Sequence, residues 1–244
     1  MLANTTPLWL FDLDNTLHNA SYAIFPAIHE NMNRYLARVL GVDGVDADAA
    51  TVDATRTKYW QLYGATLLGM IKHHQVRPED FLREAHRFDD LHGMIRGERG
   101  LINLLKRLPG RKILLTNAPL DYSQQIMRHF GLQRHVAKHI SIESMFVHGQ
   151  LRPKPSPQLL RKICSRERIS PQHCILVEDT LANLKSAKKV GMRTVWVTGY
   201  LPKAKQSSAL IREKGRPIMS RRVGGVDVQV KSVRRLVNHV HRLR

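Results

Sequence analysis

Leu8-Trp9-Leu10-Phe11-Asp12-Leu13-Asp14-Asn15-Thr16-Leu17 is the stretch that decides the fold. Four apolar residues run without alternation and stop at an acid. Such a run predicts a short strand buried on both faces, as in a parallel sheet. Ligands in such sheets bind beyond the carboxyl ends of the strands, where Asp12 and Asp14 stand. Two carboxylates two residues apart do not serve packing. Side chains alternate within a strand, but as the chain leaves the sheet both can turn toward one point. There they repel unless a cation or a phosphate environment resolves the conflict. One carboxylate can attack phosphorus; the other can protonate a leaving oxygen and later deprotonate water. Taken alone, a solvated turn with a helix cap explains the pair as well.

Four further β-branched runs lie downstream: Ile113 to Leu115, Ile175 to Val177, Thr194 to Val197 and Val226 to Val230. Helix-like stretches separate several of them, which predicts an α/β fold with a Rossmann-like parallel sheet. Polar residues follow the strands repeatedly: Thr116 and Asn117 after the second run, Glu178 and Asp179 after the third. Between 18 and 97 the spacing turns helical, with Ile24, Ile28, Met32, Leu36 and Val39 along Ser21 to Leu40. Asp46 to about Met70 and Pro78 to Leu91 also read as helices. The expected organisation is a core of 1–17 and 98–244 with an α-helical cap domain, 18–97, inserted after the first strand. Gly97 to Leu108 reads as a core helix ended by Pro109-Gly110. Residues 202–225 read as a basic loop insertion, and Lys231 to Leu243 as a final helix.

Each polar group has a chemical use and a plain one. Thr116 and Asn117 can bind phosphate oxygens, or simply cap a helix. Lys154, in Arg152-Pro153-Lys154-Pro155-Ser156-Pro157, sits in a proline-stiffened loop that can hold an ammonium at a fixed point, or it is an exposed basic residue. Glu178 and Asp179 can complete a Mg²⁺ site of hard oxygen ligands, or complement a helix dipole. All four groups in this order, after these strands, are specific.

At this point the chain resembles the haloacid dehalogenase superfamily of phosphatases. The motifs that carry the resemblance are DLDNT at 12–16, TN at 116–117, Lys154 in RPKPSP and VEDT at 177–180. It covers nearly the whole chain apart from the basic segment near 202–225. It implies that Asp12 is nucleophile and metal ligand. Asp14 is then the general acid/base, with its backbone carbonyl on the metal. Thr116 and Asn117 grip the phosphoryl oxygens. Lys154 neutralises developing charge and tethers Asp12. Asp179 ligates Mg²⁺, with Glu178 as a second or water-mediated contact. Asp14 argues against dehalogenation, because the dehalogenase branch lacks a carboxylate there. Within the superfamily, FDLDNTL, the segment Tyr59 to Gly69, LTNAP and the run 177–197 are similar to the pyrimidine 5′-nucleotidase group. His18 departs from that group, where an aromatic such as tyrosine is expected. Tyr22, Tyr59, Trp60 and Tyr63 can stack on a base or ribose, or pack a helix bundle.

The chain has 244 residues, 39 Lys and Arg against 20 Asp and Glu, and a formal charge of +19. Residues 204–244 carry eleven of the cations and two of the acids. A basic surface draws in anionic substrates or nucleic acid, but no nucleic-acid-binding motif is present. No apolar run reaches the length of a membrane span, and the opening stretch, with no basic residues before its apolar run and an acidic motif at once after it, does not read as a secretory signal. Cys164 and Cys174 have neither zinc nor disulfide-framework spacing, which fits thiols in a reducing cytoplasm. Three activities remain open: a nucleotidase for UMP- or CMP-like substrates; a phosphatase or phosphotransferase for sugar phosphate or phosphoglycolate; and a nucleic-acid-associated protein in which the phosphatase site is secondary.

Overall fold

The computed structural model describes residues 6–201 and 224–243. Six parallel strands form the main sheet: β1 (Leu8–Phe11), β2 (Arg111–Leu115), β3 (Lys138–Ile140), β6 (Cys174–Glu178), β7 (Arg193–Val197) and β8 (Val228–Val230). Their order is β3-β2-β1-β6-β7-β8, so β1 lies inside the sheet and not at an edge. This explains its uninterrupted apolar sequence: all four of its residues are buried, since both faces are covered. A separate antiparallel hairpin pairs β4 (Phe146–Val147) with β5 (Gln150–Leu151). The fold is α/β, as the alternation of strands and helices predicts.

The chain divides into two compact units, Met1–Ser21 with Ile95–Arg244, and Tyr22–Met94. The first holds the sheet, with α6 (Leu101–Arg107), α7 (Leu120–His129), α8 (Pro157–Arg166) and α9 (Leu181–Val190). Asn19 N–H donates to the Arg96 carbonyl, and His18 forms a bridge with Gly97. These bonds tie residues 18–19 and 96–97 to the sheet unit.

The second unit is helical: α1 (Ile24–Leu40), α2 (Ala49–Tyr63), α3 (Thr66–His74), α4 (Pro78–Ala85) and the short α5 (Leu91–Met94). The sequence suggested one helix over Asp46 to Met70. Gly64 breaks it by adopting the left-handed conformation at φ 79°, a common glycine helix stop. Just beyond, a methyl group on Gly69 would fall 2.1 Å from the Tyr59 ring, so α2 and α3 approach closely only because that position lacks a side chain. Tyr59 also bonds His74 at 2.8 Å; it is buried in bundle packing, whereas Trp60 and Tyr22 are exposed.

The expected C-terminal helix is corrected. Lys231 to Leu243 contains two 3₁₀ segments, Val233–Asn238 and Val240–Arg242. Valines at 233, 237 and 240 are poor helix formers. The buried pair Val233 and Leu236 is spaced by three, which suits a three-residue turn. The basic insertion expected at 202–225 lies mostly outside the described residues. No helix among the described residues is long and apolar enough to cross a membrane.

Candidate active site

The strand register assembles the site. Phe11 is level with Leu114 on one side and Val177 on the other, so Asp12 leaves the sheet beside Glu178, with Thr116 just beyond Leu115. The Asp12 N–H donates to the Val177 carbonyl at 3.0 Å, which continues the ladder to the residue that carries the acid.

Lys154 comes from the loop before α8 and is buried, at 4% exposure. Its Nζ donates to Asp12 Oδ1 at 2.6 Å and to Glu178 Oε2 at 2.8 Å. The loop is held from β2's end. Asn117 Nδ2 donates to the Lys154 carbonyl at 2.9 Å, and Lys154 N–H donates to Asn117 Oδ1 at 3.0 Å. Both ends of the Asn117 amide are therefore engaged with main chain, a use the sequence reading did not foresee. Thr116 is buried, and its hydroxyl oxygen accepts from Ala118 N–H at 3.1 Å.

Asp12, Glu178 and Asp179 each bring a carboxylate oxygen within 4.8 Å of the others. Burial, followed by the negative charge of Glu178, raises Asp12 to about 7 although Lys154 pulls the other way. Burial, then Glu178 and Asp12, raises Asp179 to about 9. Lys154 remains an ammonium: burial disfavours its charge, but Asp12 and Glu178 outweigh that. Glu178 is also buried, yet Lys154 holds it below the usual carboxylate range. Three carboxylates thus face one ammonium, and the raised Asp12 and Asp179 show that ionising all three calls for further positive charge. Hard oxygen donors with surplus charge fit a divalent cation such as Mg²⁺. Glu178 is already engaged at both oxygens, since Oε1 accepts from Thr180 N–H at 3.2 Å. Asp12 and Asp179 are the members better placed to ligate. Trp196, level with Glu178 on β7, donates its indole N–H to the Asp179 carbonyl at 2.8 Å and fixes that turn.

Asp14 is not one of the clustered trio. The turn that follows Asp12 is tight: Thr16 and Leu17 N–H both bond the Leu13 carbonyl. Asn15 is left-handed at φ 57°, a conformation asparagine tolerates, and its amide exchanges hydrogen bonds with Ser21. Asp14 Oδ1 accepts from the Tyr122 hydroxyl at 2.6 Å and from His18 Nε2 at 2.8 Å. Tyr122 is on α7, and burial followed by the Asp14 charge holds its phenol well above the ordinary range, so it stays a donor. No sequence pattern marked Tyr122, because only the packing of α7 brings it to β1. His18 drew notice only as a departure from a family pattern. Its Nδ1 is buried without a hydrogen-bond partner, a cost of about 1–3 kcal/mol for such a group.

Of the residues expected from sequence, Asp12, Lys154, Glu178 and Asp179 meet directly. Thr116 and Asn117 border them, and Asp14 stands two residues from Asp12 on its own pair of donors. A family model described as haloacid dehalogenase-like hydrolase matches residues 8–191. A curated relative, the 5′-nucleotidase of Pseudomonas aeruginosa, is 27% identical over 206 residues, covering 80% of this chain and 83% of the relative. Among solved structures, a HAD phosphatase from Thermococcus onnurineus shows a TM-score of 0.60 at 16% identity, over 96% of this chain and 97% of its own. An L-2-haloacid dehalogenase from Xanthobacter autotrophicus shows 0.58 at 16% identity, over 96% and 98%. At these identities the two structures speak for the fold alone. The family match spans the first strand, the lysine loop and the acidic pair after β6, and on it this chain belongs to the haloacid dehalogenase-like hydrolases.

Proposed function

We propose that the protein is a Mg²⁺-dependent phosphomonoester hydrolase that works through an aspartyl-phosphate on Asp12, with a pyrimidine nucleoside 5′-monophosphate as substrate. The observation that carries this reading is the buried contact of Asp12 with Lys154, beside Glu178 and Asp179, at the carboxyl ends of β1 and β6. A carboxylate held against an ammonium is oriented for attack, and the ammonium offsets charge as it builds on the phosphoryl oxygens.

In this scheme an Asp12 oxygen bonds to phosphorus while the bond from phosphorus to the ester oxygen breaks. Asp14 gives its proton to that leaving oxygen. Asp14 then takes a proton from water as the water oxygen attacks phosphorus, and the phosphorus bond to Asp12 breaks to release phosphate. The Thr116 hydroxyl receives a phosphoryl oxygen, while Asn117 serves by holding Lys154 in place. Asp12 and Asp179, with the Asp14 carbonyl, would hold Mg²⁺, which would supply positive charge to the acids and to the phosphoryl group. The helical unit Tyr22–Met94 serves as the cap that selects substrate.

The substrate class draws support from the name of the Pseudomonas aeruginosa relative and from the runs FDLDNTL and 177–197. Phosphate release from a panel of nucleoside, sugar and glycolate phosphates, with Mg²⁺ and with EDTA, tests it. Selective, EDTA-sensitive turnover of pyrimidine nucleotides is expected. Preference for sugar phosphates would replace the substrate and keep the chemistry. Undiminished turnover in EDTA would remove the metal from the scheme.

A further inference from the structure

We propose that Tyr122 and His18 are positioning residues that fix the Asp14 carboxylate for proton transfer. This rests on the phosphatase reading above and adds to it a pair of residues that none of the four motifs contains.

Both donors reach the same oxygen of Asp14, Tyr122 Oη at 2.6 Å and His18 Nε2 at 2.8 Å, and they lie 3.4 Å from each other. They arrive from different elements: His18 follows the β1 turn, and Tyr122 lies on α7. Both are buried, at 0% and 2% exposure, so neither rotates away into solvent. Because the acceptor is a carboxylate, His18 carries its proton on Nε2. That choice leaves its buried Nδ1 without a partner. An apolar side chain in this place, against the Phe130 ring, would meet no such cost. What the imidazole gains is its bond to Asp14. The same holds for the Tyr122 hydroxyl, whose removal as phenylalanine leaves the ring in place.

With Oδ1 accepting two hydrogen bonds, rotation of the carboxyl group is fixed. The proton that Asp14 delivers to the ester oxygen then belongs on Oδ2. A positioned acid matters most when the leaving oxygen is a poor leaving group. An alkoxide needs that proton as its bond to phosphorus breaks, whereas a nitrophenolate leaves without it.

The test measures single-turnover rates on a nucleoside 5′-monophosphate and on p-nitrophenyl phosphate, at saturating Mg²⁺. The proteins are wild type, Tyr122→Phe, His18→Leu, His18→Gln and Asp14→Asn. Tyr122→Phe and His18→Leu are expected to lose about 10- to 100-fold on the nucleotide, with KM nearly constant, and less than about 3-fold on the aryl ester. His18→Gln, whose amide can donate in place of Nε2, should recover most of the loss. Equal losses on both esters would mean a structural role only, and no loss on either would mean that Asp14 needs no such support. Both outcomes overturn the inference. Thermal unfolding of each variant excludes misfolding as the cause, with Tyr122→Phe as the least disruptive member. Asp14→Asn separates the two levels of the argument. If it shows no difference between the esters while wild type cleaves both, Asp14 is not the acid and the positioning role falls alone; if wild type cleaves neither, the phosphatase reading itself falls.

Discussion

Exchanging Asp12 for asparagine alters one atom and separates chemistry from stability. The amide has no anionic oxygen to attack phosphorus, so turnover should fall by about 10³-fold or more. The fold should survive, because burial and Glu178 raise Asp12 to about 7, so its charge is costly where it stands. Lys154 keeps Glu178 as its partner at 2.8 Å. Phosphate release and a thermal melt on the same pure sample check both halves; appreciable turnover would contradict a covalent route through Asp12. At this scale the acids were legible because they follow buried apolar strands, and Lys154 because prolines flank it on both sides. The role of Asn117 was not. Its amide could have faced phosphate or main chain, and only the fold of the Lys154 loop chooses the latter.

Elements were legible where burial is complete and obscure where it is partial. β1, β2, β6 and β7 have continuous apolar runs and emerge almost as read. β3 is an edge strand whose three residues, Lys138-His139-Ile140, include a single aliphatic one. The β4–β5 hairpin is two residues a side, and its turn residues His148 and Gly149 both have positive φ, at 49° and 74°. That geometry suits a two-residue primed turn, but histidine signals it far less clearly than asparagine. The end of α8 shows how an element is fastened to the sheet. Glu167 is the C-cap, where the dipole disfavours a carboxylate. It accepts from Arg111 on β2 at 2.6 Å and pairs with Lys138 on β3. Burial pushes its carboxyl up, yet Lys138 and Arg111 together bring it below the usual value of 4.5. A native pKa lower than the unfolded one stabilises the fold above the unfolded value and ceases to do so as pH falls through the native value. Glu167→Gln should therefore cost about 1–2 kcal/mol at neutral pH, and the difference should shrink at acid pH, below the usual glutamate value. Urea midpoints at the two pH values decide it; a pH-independent cost would mean the contact is packing and not charge.

The whole molecule is strongly basic, at +19, while the candidate site gathers three acids around the buried Lys154. These two facts oppose each other for an anionic substrate unless a cation sits on the trio and the surrounding field draws the anion in. The field acts at long range and is screened within about 10 Å at 0.1 M salt, whereas the buried contacts of Asp12 and Lys154 are screened far less. Salt should therefore act on capture and spare chemistry. Raising monovalent salt from about 20 to about 300 mM should raise KM for a phosphate dianion several-fold and leave kcat within about 2-fold. A nucleic-acid-binding surface would behave differently. Each phosphate contact adds to the slope of log affinity against log salt, so a polymer gripped by many cations loses orders of magnitude over the same interval. Running the kinetic titration beside a binding titration with single-stranded and duplex DNA sets the two readings against each other. A modest rise in KM with weak DNA binding even at low salt assigns the charge to substrate capture. A steep loss of tight DNA binding, with KM unmoved, would assign the basic surface to a polymer and leave the site to find its substrate without the field.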